Sequence, residues 1–159
     1  MTDIGTVLFN IAVKEEWIDY NAHMTEGAYG IVFGDASDAL LEHAGFDSNY
    51  RAEERGTFYT AEAHISFLTE VPATSTIEVG SIVVGVDEKR LHVLHTLLDI
   101  TKSERAATQE SMLLHVDVDN GRVRPMRPPL RAALEGLRDE HAGSELPAEI
   151  GRAIRSVSD

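Results

Sequence analysis

Five consecutive positions, Asp19-Tyr20-Asn21-Ala22-His23, hold a carboxylate, a carboxamide and an imidazole, and Glu26 follows three residues later. A carboxylate or an imidazole can take a proton from water, and an amide can orient that water or a carbonyl. The residues from Thr25 onward read as a helix, whose leading N–H groups can face a developing negative oxygen. Donors of that kind are worth roughly 10²–10³ in rate. The set therefore suits the addition of water to a carbonyl, with Asp19, Glu26 and His23 all open as the base and Asn21 as the orienting group. Taken alone, Asp and Asn at this spacing more often close a turn.

The elements that must position these groups follow from periodicity. The stretch 6–14, "TVLFNIAVK", is rich in β-branched and aromatic residues and predicts a strand. From Thr25 to Ala44 the apolar residues Tyr29, Val32, Phe33, Ala36, Leu40 and Ala44 recur at helical spacing, with Thr25 as N-cap and Gly45 as the stop. The many small residues of that helix are expected to let it approach a sheet closely. After a loop at 45–55 come four extended runs, 57–70, 75–86, 91–101 and 106–118, separated by "VPAT", "DEKR" and "KSER". These predict a meander of consecutive strands. Two short helices are expected in the tail, near 129–141 and 147–157.

Bulk composition narrows the chemistry. The 159 residues fit one domain, 1–159, with a core of about 6–118 and a helical tail of about 128–157. Cysteine is absent, which removes disulfides, thiolate metal sites and a cysteine nucleophile. The charge of −13 lies in the first half: residues 1–88 hold 3 Lys/Arg against 16 Asp/Glu, and residues 89–159 hold 11 against 11. A chain this acidic is a poor nucleic-acid partner. No run approaches the roughly 20 apolar residues of a membrane span, and the first residues lack the basic flank of a leader. A cytoplasmic location with no membrane partner is the expectation. His92 and His95 are three apart on a strand, hence on opposite faces, and no metal site is expected.

One strand, one long helix and four strands form an α+β pattern that resembles the hotdog fold, a five-stranded antiparallel sheet wrapped around a central helix. The segment "WIDYNAHMTEGAYGIVFGDASDALL" (17–41) resembles the loop and helix start of acyl-CoA thioesterases of the 4-hydroxybenzoyl-CoA type. "VFGDASDALL" (32–41), "GVDEKRLH" (85–92) and "MLLHVD" (112–117) are similar to the thioesterases of carnitine degradation that hydrolyse betainyl-CoA. The resemblance spans about 6–118. It implies hydrolysis of a short acyl-CoA with no cofactor beyond the coenzyme A of the substrate. In the 4-hydroxybenzoyl-CoA type, the acting carboxylate is the second acidic residue of an Asp-x-Asp pair. That position is Asn21 here, which leaves Asp19, the nearest carboxylate, and Glu26 as the carboxylates that could take over, with His23 still open as the base. A non-hydrolytic acyl-CoA sensor or carrier partner of the same fold is the alternative.

The resemblance also implies a homodimer or homotetramer, with two sheets joined through the strand at 57–69, where His64 and Glu62 could reach the partner. A trimethylammonium acyl group would be read by aromatic faces, and the candidates are Trp17, Tyr20, Tyr29, Phe33, Phe58 and Tyr59, with His64 beside them. Coenzyme A phosphates need cations, and the neutral half supplies Lys89, Arg90, Arg124 and Arg127.

Overall fold

The computed structural model describes residues 3–154 and 156–157. Five strands, β1 (Thr6–Ala12), β2 (Gly56–Phe67), β3 (Thr76–Val86), β4 (Arg90–Asp99) and β5 (Glu104–Asp117), form one sheet in the order β1-β3-β4-β5-β2. Every pairing is antiparallel. β3, β4 and β5 are a meander, as expected. β2 is not part of it: it pairs with β5 at the far edge, so the "VPAT" segment carries the chain across the sheet instead of closing a hairpin.

Helix α1 (Glu26–His43) lies on the inner face and buries Ala28, Tyr29, Val32, Phe33, Ala36, Leu40 and Leu41. It ends where Ala44 caps it and Gly45 takes φ 102°, a conformation that glycine adopts without a side-chain clash. Its glycines do not face the sheet. Nothing lies within 4 Å of a Cβ built at Gly27, Gly30 or Gly34, so the close approach is made by Ala28 and Ala36, both 2% exposed.

The 45–55 stretch is not only loop. It holds α2 (Ser48–Glu54), whose N-cap Asp47 accepts a hydrogen bond from the Tyr50 N–H at 2.8 Å. In the tail, α3 (Pro128–Glu140) forms with proline in its first turn, where a missing N–H costs nothing. Leu130, Leu134 and Leu137 of α3, which lies against β3, join the same buried cluster as Leu40 and Leu41 of α1. The second tail helix is absent: among the described residues of 147–157, only 148–151 form a turn. No helix among the described residues is long and apolar enough to cross a membrane.

The inner face carries two apolar clusters. One gathers Trp17, Tyr29, Phe33, Val79, Leu97 and Ala107; the other gathers Leu40, Leu41, Val83, Leu91, Val93 and Leu113. Between them runs a polar row. Ser81 on β3, His95 on β4 and Gln109 on β5 are direct cross-strand partners, and they are 2%, 0% and 7% exposed.

Candidate functional site

The loop before α1 is a tight turn. Asp19 accepts the Ala22 N–H through its backbone carbonyl at 3.0 Å and the Asn21 N–H through Oδ1 at 2.8 Å. Ala22 takes φ 62°, and the Asp19 N–H returns to the His23 carbonyl at 3.1 Å. The Asp19 carboxylate is thus engaged in closing the turn, while Asn21 is exposed. His23 points toward Glu70, with Nε2 and Oε1 4.0 Å apart.

At the N-terminus of α1, Thr25 sits at the N-cap but its side chain makes no capping hydrogen bond. A shallow groove of about 380 Å³ opens there between Glu26 and Tyr29 of α1 and the end of β2 and its following loop, Phe67 to Glu70. Tyr29 is 4% exposed, packs edge-on against Phe67 at 5.1 Å, and has its hydroxyl pKa raised by burial.

Further along the same helix a larger cavity of about 820 Å³ separates α1 from β2. Phe46, Phe58, Leu41 and Leu113 give it an apolar side. Asp35, Asp38 and Glu42 line it from α1, and among the described residues Arg51 is the one cation of its wall. That guanidinium lies 5.3 Å from the Phe46 ring centre. Ser37 and Gln109 also line it, and both belong to the polar row. The groove and the cavity follow one another along one α1–β2 seam.

His95 holds the row together. Its Nε2 is 2.8 Å from Ser37 Oγ and its Nδ1 is 2.8 Å from Ser81 Oγ, with the Phe33 ring stacked at 6.1 Å. Burial lowers its pKa to about 4, so the imidazole is neutral near pH 7. His92, on the opposite face, pairs with Glu110 at 2.7 Å. Among the described residues, no three His, Asp or Glu side chains are grouped to hold a metal ion.

The remaining expected site residues are scattered. Trp17 (5% exposed) and Phe33 (0%) are core residues, and the face of Trp17 is already covered by Lys14 Nζ at 5.0 Å. Apolar packing claims both, the common fate of large aromatics. Tyr20 is almost fully exposed beside the turn, and Tyr59 is exposed on the β2 edge. His64 lies on the outer face of the sheet, in a pocket with Glu62, His92 and Glu110.

The expected phosphate cations all have acidic partners. Arg90 bonds Asp87 at 2.6 Å and Lys89 lies 3.3 Å from Glu88. Arg127 pairs with the Glu54 carboxylate, while Arg124 donates to the Glu54 carbonyl and lies 3.5 Å from Asp117. These last two tie α2 to the segment before α3. The sequence reading missed Ser37, His95 and Gln109; three polar residues at core-facing positions of helix and strands were the available signal.

The thioesterase-like superfamily model matches residues 13–134. A curated relative from Agrobacterium fabrum, an L-carnitine dehydrogenase/betainyl-CoA thioesterase, is 45% identical over 91% of this chain, which spans only 29% of that relative's length. A betainyl-CoA thioesterase from Pseudomonas aeruginosa is 37% identical, with 92% of each chain covered. Among solved structures, a candidate thioesterase from Pseudomonas putida KT2440 is 33% identical with a TM-score of 0.83, covering 97% of this chain and 98% of its own. A Staphylococcus aureus hypothetical protein solved in complex with CoA shares the fold at TM-score 0.89, 23% identity and 99% coverage of both chains. The chain belongs to the thioesterase-like superfamily.

Proposed function

We propose that this thioesterase hydrolyses betainyl-CoA. Water adds to the thioester carbonyl, the C–S bond breaks, and the products are the trimethylammonium carboxylic acid and the free thiol of coenzyme A. The reaction draws only on water, with no cofactor besides the coenzyme A carried by the substrate, and takes place in the cytoplasm. The observation that carries this reading is the pair of relatives named for betainyl-CoA, at 45% and 37% identity over 91% and 92% of the chain. The cavity supports it: Asp35, Asp38 and Glu42 against Arg51 favour a fixed positive charge, and the Phe58 ring on its wall suits the methyl groups.

We also take the working unit to be a homodimer. β2 has a free edge, and an unpaired edge of this length invites pairing. Tyr59 (52%), Phe67 (50%) and Leu68 (37%) lie exposed along it, as does Ile31 (54%) on the adjoining face of α1. A second copy pairing antiparallel through β2 would cover them and close the α1–β2 seam.

The test is thiol release under multiple turnover, comparing betainyl-CoA with its neutral near-isostere 4,4-dimethylpentanoyl-CoA. A clear preference in kcat/KM for the cation is expected. Equal or reversed preference would remove betainyl-CoA as the substrate. Saturable binding with no thiol release would make the protein a non-hydrolytic acyl-CoA binder.

A further inference from the structure

An apolar row would complete the core between its two clusters, yet Ser81, His95 and Gln109 occupy it, with Ser37 descending from α1. Buried polar groups cost stability unless they are paired. Here the pairing is internal, through Ser37 and Ser81 on the two imidazole nitrogens and through Gln109 Nε2 donating to Ser111 Oγ at 3.0 Å. The row ends at the α1–β2 cavity, which Ser37 and Gln109 both line. We propose that Ser37 and Gln109 hydrogen-bond the thioester carbonyl oxygen of the acyl-CoA in this cavity, and that His95 is the positioning residue that presents the Ser37 hydroxyl. This rests on the thioesterase reading and moves the reacting carbon from the mouth of α1 to the middle of the helix.

The hydrogen-bond directions support it. A neutral imidazole donates from one nitrogen and accepts at the other. Ser37 Oγ lies 3.0 Å from the Phe33 carbonyl, an acceptor only. The self-consistent arrangement has the Ser37 hydroxyl donating to Phe33, His95 Nε2–H donating to Ser37 Oγ, and the Ser81 hydroxyl donating to Nδ1. Phe33 already accepts the helical N–H of Ser37, so this second bond is dispensable. When a carbonyl oxygen enters the cavity, the hydroxyl can turn to it while His95 keeps holding the oxygen from behind. A donor that itself accepts a hydrogen bond is polarised and strengthened. Gln109 spends one N–H on Ser111 and has a second for the same oxygen. The low pKa of His95 keeps the relay neutral over the working range, so no positive charge competes with the ammonium of the substrate for the carboxylates of α1.

The experiment uses the full chain, with thiol release from betainyl-CoA and a panel of short acyl-CoAs, and thermal melts for every variant. Ser37→Ala should lower kcat about 10²-fold with KM nearly unchanged, as for one lost carbonyl donor. Ser37→Thr, which keeps the hydroxyl, should restore most of it. His95→Leu should act like Ser37→Ala, and His95→Gln, which keeps a donor near the Nε2 position, should recover. If Ser37→Ala does not fold, Gln109→Met carries the test, with an expected loss of about tenfold. Folded Ser37→Ala and Gln109→Met with near wild-type kcat would overturn the proposal, as would an acyl group found covalently on Ser37 after rapid quenching. Absence of thiol release by the wild type would instead defeat the thioesterase reading, and this inference with it.

Discussion

His95 should make the fold acid-sensitive in a way that one substitution removes. Burial lowers its pKa from 6.5 to about 4, because the charged ring would lose its water without gaining an acid partner. The native state therefore refuses a proton that the unfolded chain accepts below pH 6.5. The stability tied to this group is complete above pH 6.5 and is lost as pH falls toward 4, in all about 3 kcal/mol. At pH 5.5, one unit below the unfolded value and still above the pI of 4.8, the loss is about 1.4 kcal/mol. For a domain of this size that is a fall in Tm of about 3–6 °C. His115 and His141 are also held low by burial and push in the same direction, so the wild type alone cannot isolate the contribution of His95. His95→Gln can: it keeps the other two histidines and removes only this titration. The assay is a melt at pH 7.5 and 5.5, followed by the fluorescence of Trp17, the only tryptophan and a buried one. The wild type should lose about 3–6 °C more than His95→Gln between the two pH values. Equal losses would mean that His95 takes up a proton in the native state as readily as in the unfolded chain, and the hydrogen-bond directions assigned to the row, which need a neutral imidazole, would fall with it.

Three further outcomes follow from the geometry. With the acyl group in the cavity, Asp38→Asn should raise the KM for betainyl-CoA more than Asp19→Asn or Glu26→Gln, because Asp38 lines the cavity proposed to hold the trimethylammonium group while Asp19 is bound to the Asn21 N–H; a large rise in KM for Asp19→Asn beside an unchanged Asp38→Asn would return the acyl group to the mouth of α1. The Lys89→Ala, Arg90→Ala double variant should raise KM and leave kcat alone, with a modest effect because Glu88 and Asp87 already engage both cations; an unchanged KM would place the coenzyme A phosphates elsewhere. Light scattering at micromolar concentration should give a dimer, and a charged pair at Thr60 and Ala61 on the exposed β2 edge should shift it to monomer; a wild-type monomer would refute the pairing through β2.

What the sequence revealed and what it hid divide along locality. α1 was legible because its buried residues recur every three or four positions and Gly45 marks its end. β3, β4 and β5 were legible because short polar turns separate them. The place of β2 was not, since its partner β5 is distant in sequence and no local signal distinguishes a crossover from a hairpin. α2 had a signal in Asp47, three residues before the N–H it caps, but seven residues of mixed polarity carry too little periodicity to outweigh a loop. Trp17 looked available for a cation because a loop has no periodicity to say which side is turned inward, whereas Phe33 already stood on the apolar stripe of α1.

The polar row was the most informative feature and the least visible. In β3, Ser81 shares its face with Val79 and Val83; in β4, His95 shares its face with Val93 and Leu97. Period-two alternation thus places a polar residue at a core position in each strand, and Ser37 stands one turn from Phe33 on the buried side of α1. Each of these alone is an ordinary exception, since single buried serines and histidines are common. Their meaning comes only from register, which sets Ser81, His95 and Gln109 in line across three strands and brings Ser37 to within 2.8 Å of an imidazole 58 positions away. A polar residue that violates the pattern of one element is tolerated noise. Four that violate it on three strands and a helix, meet in space, satisfy one another and end at a cavity, are better explained by a ligand than by packing.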